Sequence, residues 1–162
     1  GMITSIRKNI IVITVATALK PLLQNGIKPD FVVAVDPNAD TLHSFYIEKI
    51  PEDMWLIFDP CIPSTICSLF NGRKIMMDSS IPLAKWITDH SETKGSIDNV
   101  YSVAHSAFYL SRFMGCAPII LVGQDLSFDR YRMHCKGTFY NQKHEDNIHS
   151  DNTLARESFG IS

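Results

Sequence analysis

Apolar residues come along this chain in short unbroken runs: Ile10 to Thr14, Phe31 to Val35, Trp55 to Phe58, Lys74 to Met77 and Pro118 to Val122. Their apolar positions are continuous rather than alternating, the mark of strands in a parallel sheet covered on both faces. Between the first two runs lies a predicted helix. Thr17 is placed to cap it, Pro21 falls in its first turn, and Gly26 supplies the left-handed stop. A second helix follows from Val100, Val103, Ala104, Ala107, Phe108, Leu110, Ser111 and Met114, which recur at helical spacing until Gly115 ends the pattern. Strand and helix alternating with short connections predict a Rossmann-like three-layer α/β/α fold with a mainly parallel sheet. None of the apolar runs approaches the roughly 20 residues that cross a bilayer, so no membrane span is expected.

The rest of the chain modifies this picture in a few places. Residues 126–152 are polar and aperiodic, long for a connection inside a compact domain, and read as a lid or an insertion within a single domain of 162 residues. Apolar residues make up 45% and charged residues 20%, which excludes disorder as the main state. A formal charge of -2 offers no positive field for DNA or anionic lipid. Cys61, Cys67, Cys116 and Cys135 form no C-x-x-C pair, and no secretory leader is evident, so a reducing cytoplasm is the expected location.

Candidate chemistry gathers at strand ends, where open α/β sheets bind ligands. Three predicted strands run into acid-bearing turns, at Asp36, Asp59 and Asp125. Gly123 permits close backbone approach, and Asp125 is either a ligand for metal, ribose or proton, or the cap of the next turn. His134 is a candidate proton carrier near neutral pH, or an exposed loop residue. Asp36 precedes Pro37, so it either contacts a ligand or merely starts a turn; Asp59 carries less weight. Ser102 stands at a helix start, where free N–H groups favour an anion, and capping explains it equally well. His105 is expected to be buried. His144, Glu145, Asp146, His149 and Asp151 lack the spacing of a zinc helix and read as a solvated loop. Neither G-x-x-x-x-G-K-[ST] nor G-x-G-x-x-G occurs, which disfavours the common kinases and dehydrogenases.

The run IIVITVATALKPLLQNGIKPDFVVAVDP, followed by SVAHSAFYLSRFMGCAPIILVGQDLSF and a His before Lys-Gly, resembles the domain shared by motility accessory factors (Maf) and 6-hydroxymethylpterin diphosphokinase MptE-like proteins. The resemblance covers about Ile10 to His134. It implies a Rossmann-like domain similar in plan to bacterial sialyltransferases. By position it matches Ser102 and Val103 to a donor-binding helix start, Gly123, Gln124 and Asp125 to a nucleotide-binding turn, and Asp36 to the strand-end acid. The family's opening strand and its G-x-G-P-S-L turn are not in this sequence, so the sheet is expected to begin at the family's second strand, with an open edge that invites a homodimer.

Two activities are implied by the resemblance. The first transfers a nonulosonic acid such as pseudaminic acid from its CMP-activated form to a hydroxyl of flagellin, with His134 and Asp125 as catalytic candidates. The second transfers diphosphate from ATP to a hydroxymethyl pterin with Mg2+, for which Asp36, Asp59 and Asp125 are suited acids. A non-catalytic module for protein association is the third reading.

Overall fold

The computed structural model describes residues 9–71, 73–79, 81–90, 102–124 and 135–141. The chain divides into two compact units, Gly1–Leu121 and Val122–Ser162. In the first, β1 (Ile13–Val15), β2 (Phe31–Ala34), β3 (Trp55–Phe58) and β4 (Lys74–Met76) form one sheet in sequential order. All three pairings are parallel; Phe31 stands opposite Ile13 on one side and Trp55 on the other, and Phe58 opposite Met76. Helices α1 (Ala16–Gln24), α2 (Ser64–Leu69), α3 (Pro82–Asp89) and α4 (Val103–Phe113) join them, with a 3-10 helix at Ala39–Phe45.

Successive strand residues point to opposite faces, and the core divides accordingly. Val32, Ala34 and Leu56 pack with Ala16 and Leu19 of α1, Phe45 of the 3-10 helix and Ile66 of α2. Val33 and Ile57 turn the other way, to Leu110, Val103 and Ala107 of α4 and to Met77. A sheet covered by helices on both faces is the expected α/β/α arrangement. Each fully buried aliphatic side chain here contributes about 1.5–3 kcal/mol.

Both long helices end in the same way. After α1, the Gly26 N–H donates to the Leu23 carbonyl at 3.0 Å and the Ile27 N–H to the Leu22 carbonyl at 2.9 Å, with Gly26 at φ 71°. After α4, Gly115 at φ 76° places its own N–H on Arg112 and that of Cys116 on Ser111. These paired bonds satisfy carbonyls the helix leaves open, and the positive φ is what glycine supplies.

The structure corrects several local expectations. The first strand starts at Ile13 rather than Ile10, because the Asp30 carboxylate takes the Val12 N–H at 2.7 Å, while the Val12 carbonyl accepts from Asp30 and Phe31. Helix α1 begins directly at Ala16, with Val15 at the cap position and no side-chain cap bond, so Thr17 caps nothing and Pro21 sits within the helix rather than in its first turn. Strand β4, outermost of the described strands on its side of the sheet, is exposed rather than buried. Pro118–Val122 forms no ladder with any described strand, and Ile120, Leu121 and Val122 are 77%, 62% and 76% exposed. β-branched residues favour strands only where a neighbour offers hydrogen bonds and cover, and none of the described strands does so here. His105 lies on the exposed side of α4. No helix is long and apolar enough to cross a membrane among the described residues.

In the second unit, Gly123 adopts φ 72° and Gly137 φ 90°. Thr138 is buried, donates its hydroxyl to the Cys135 carbonyl at 2.9 Å and accepts from the Asn141 N–H at 3.2 Å, which closes a short helical turn.

Candidate functional site

Because all four strands run the same way, their carboxyl ends fall on one edge of the sheet. Asp36 follows β2 by two residues, Asp59 follows β3 directly, and Asp78 and Ser79 follow β4. The side chains there differ sharply in environment.

Asp36 is exposed, and its Oδ1 accepts the Asn38 N–H at 2.9 Å. Asn38 repeats the device by accepting from the Asp40 N–H at 3.0 Å, which starts the 3-10 helix. The aspartate therefore makes the turn, as its position before Pro37 implies, and keeps its carboxylate in water at the rim.

Asp59 is 1% exposed. Its Oδ1 accepts the Cys61 N–H at 2.8 Å, and its Oδ2 accepts the Ser79 hydroxyl at 2.9 Å. Ser79, itself buried, accepts in turn from the Ile81 N–H at 3.3 Å. A buried carboxylate is tolerated when donors surround it, and here they come from two different strand ends. The Cys61 thiol is pushed above its usual range, first by burial, then by its hydrogen bond to Asp59 and the negative charge there, against a smaller downward pull from Ser79. Little thiolate forms near neutral pH, so Cys61 is a poor nucleophile.

Asp78 accepts the Ser79 N–H at 3.0 Å on Oδ1 and faces the Lys85 Nζ at 3.8 Å on Oδ2. Lys85 also bonds Asp89 at 3.2 Å, and it is held above its ordinary range by that bond first and by the charges of Asp78 and Asp89 next. The ammonium stays charged and lies one helical turn beyond the strand end.

Ser102 caps α4, its Oγ accepting the Ala104 N–H at 3.3 Å from an exposed position. Val103 is half-buried against the second core cluster. Helix α4 packs on β1 and β2, so the start of α4 belongs to the same unit as Asp36. Gly123 and Gln124 are exposed in the second unit, with Gly123 in the left-handed region. Asp125 and His134 lie outside the described residues, as do His144, Glu145, Asp146, His149 and Asp151. Asp59, given little weight from the sequence, is the most deeply buried of the described strand-end acids.

A cavity of about 320 Å3 opens among Phe45, Tyr46, Ile50, Pro51, Leu69 and Asn71. Residues Tyr46 to Glu52 lead into the amino end of β3, so this hollow is separate from the strand-end acids. Among the described residues no group of three or more His, Cys, Asp or Glu could hold a metal ion. Of the described strand-end acids, Asp36 is the one that is exposed, and Mg2+ commonly takes one or two carboxylates and completes its shell with water and substrate phosphates.

No curated protein matches this chain, and no solved structure does. The family model described as 6-hydroxymethylpterin diphosphokinase MptE-like matches residues 1–130, the span that carries the parallel sheet, its strand-end acids and α4. The chain belongs to the 6-hydroxymethylpterin diphosphokinase MptE-like family.

Proposed function

We propose that this chain is a nucleotide-dependent transferase domain whose donor binds along the carboxyl edge of the sheet. The observation that carries the reading is the family match over a sheet whose adjacent strands end in Asp36, Asp59 and Asp78. The first reaction proposed is transfer of diphosphate from ATP to a hydroxymethyl pterin. The hydroxymethyl oxygen attacks the β-phosphorus, the bond from that phosphorus to the oxygen shared with the α-phosphate breaks, and AMP leaves with the electron pair. The hydroxyl proton passes to a base, for which His134 and Asp125 are the candidates. Asp36 at the rim has the exposure to accept a ribose or pterin hydroxyl, and the N–H groups at the start of α4, beside Ser102 and Val103, offer donors to phosphate. Gly123 and Gln124, in the second unit, are nucleotide-binding candidates on the sequence resemblance alone. Magnesium, when bound with the triphosphate, supplies charge neutralisation of the transferring group; Asp36 is the exposed carboxylate among the described strand-end acids and would share it.

A second reading is transfer of a nonulosonic acid such as pseudaminic acid from its CMP-activated form to flagellin. It is supported by the likeness of Ser102–Asp125 to motility accessory factors and, in plan, to sialyltransferases. Donors for both reactions are made in the cytoplasm, which is the location proposed, and a homodimer through β1, which has no outer partner among the described strands, is proposed in either case.

The test is product analysis. Incubation with ATP, Mg2+ and 6-hydroxymethyl pterin should yield AMP and a pterin diphosphate by phosphorus NMR and mass spectrometry. Release of CMP from a CMP-nonulosonic acid with flagellin, and no AMP from ATP, would replace the first reaction by the second. Turnover of neither donor would overturn the transferase reading.

A further inference from the structure

The buried carboxylate of Asp59 is not used by the chemistry above, yet its placement is more exacting than that of any exposed acid nearby. It receives the Cys61 N–H from the turn after β3 and the Ser79 hydroxyl from the turn after β4, two segments 20 residues apart in sequence. Ser79 passes the constraint on by accepting from the Ile81 N–H, immediately before α3 begins at Pro82. Three linked hydrogen bonds thus run from one strand-end turn to the next, and the Asp59 N–H is itself anchored to the Ala34 carbonyl of β2 at 2.9 Å. Among the described strands β4 is the outermost on its side; it is exposed and its backbone pairs with β3. The Met77 N–H on the Phe58 carbonyl at 2.7 Å and the buried Met77 side chain hold the chain just past β4, and beyond Met77 these side-chain bonds help to place the turn.

We propose that Asp59 is a positioning residue of the donor-binding edge, tying the turn after β4 to the turn after β3 and thereby fixing Asp78, Ser79 and the start of α3. Asp59 does not touch the donor; it acts through Ser79. The inference rests on the reading that a nucleotide binds at this edge. A residue that served only global stability would loosen the whole sheet when removed, whereas a latch between two turns releases those turns first.

The experiment compares the full chain with Asp59→Ala, Ser79→Ala and Ser79→Thr, reading amide hydrogen exchange together with calorimetric binding of Mg-ATP and of CMP. Ser79→Ala keeps the carboxylate and removes one hydroxyl, so it stays informative even where Asp59→Ala does not fold. The expected result is exchange raised at least tenfold at Ser79 or its replacement and at Ile81, with Val33 and Ile57 unchanged. Affinity for whichever nucleotide the parent protein binds should fall about tenfold in Ser79→Ala and return toward the parent value in Ser79→Thr, which restores a hydroxyl. Exchange raised equally across β2 and β3, or affinity in Ser79→Ala within twofold of the parent, would overturn the proposal. If the parent protein binds neither nucleotide, the proposed donor reading fails by itself. The tie between the turns is then decided by exchange alone, supported by a local increase and overturned by none.

Discussion

Removing the Asp59 side chain gives the sharpest energetic forecast. In Asp59→Ala the Ser79 hydroxyl loses its 2.9 Å acceptor and the Cys61 N–H its 2.8 Å acceptor. A buried donor left without a partner costs about 1–3 kcal/mol. Ser79 is buried and belongs at the upper end of that range, whereas Cys61 is half-buried and belongs at the lower, because water reaches it more readily. The sum is about 2–5 kcal/mol, a large part of the 5–15 kcal/mol typical of a whole domain. Urea unfolding followed by tryptophan fluorescence suits the measurement, since Trp55 and Trp86 both lie in the unit that contains Asp59. The matched control is Asp36→Ala, which removes an exposed carboxylate at the neighbouring strand end and should cost under about 1 kcal/mol. Equal losses in the two variants, or a loss below about 0.5 kcal/mol in Asp59→Ala, would show that burial and donor count do not set the cost.

Three further outcomes are expected. Gly115→Ala should destabilise by about 1–2 kcal/mol in the same urea assay: nothing lies within 4 Å of the added Cβ, so the cost comes from φ 76° alone. Ile57→Ala, at a fully buried β3 position facing α4, should cost about 2–5 kcal/mol, and a value near that of a surface change would place the second core cluster wrongly. The raised Cys61 thiol means that the folded chain holds this proton more tightly than the unfolded chain, so its contribution to stability is intact below the ordinary thiol value of 9.0 and declines as pH rises above it. Cys61→Ser should flatten that alkaline decline, and iodoacetamide near pH 8 should label exposed Cys135 well before Cys61.

How far the sequence revealed the fold depends on where hydrogen bonds come from. Trp55–Phe58 was legible to the residue as a strand, and Phe31–Ala34 nearly so, because both faces are buried and every position is apolar. Pro118–Val122 has the same composition and is no strand, since composition does not reveal whether a partner strand stands beside it. Ile10 and Ile11 also look like strand, but a side chain 18 residues on, that of Asp30, fills the role of the ladder at Val12. The short helices Ser64–Leu69 and Pro82–Asp89 went unpredicted, as six to eight residues leave little room for a helical period. At the site, Asp36 was legible because its role is local: it bonds two residues ahead, as an Asp before Pro commonly does. Ser102 was legible as a cap for the same reason. Asp59 was underrated because its partner Ser79 is distant in sequence and no period marks either residue, and a signal was available only in its place directly after a fully apolar strand.

Binding of a nucleotide donor at the carboxyl edge of the sheet can be read residue by residue in two-dimensional amide NMR of the full chain titrated with Mg-ATP, and separately with CMP. The prediction is saturable shifts at Asp36, Asn38, Asp59, Cys61, Asp78, Ser79 and Ser102–Ala104, with Tyr46–Ile50 and Glu52 silent. Shifts confined to the hollow around Tyr46–Glu52, or no shifts with either nucleotide, would contradict it.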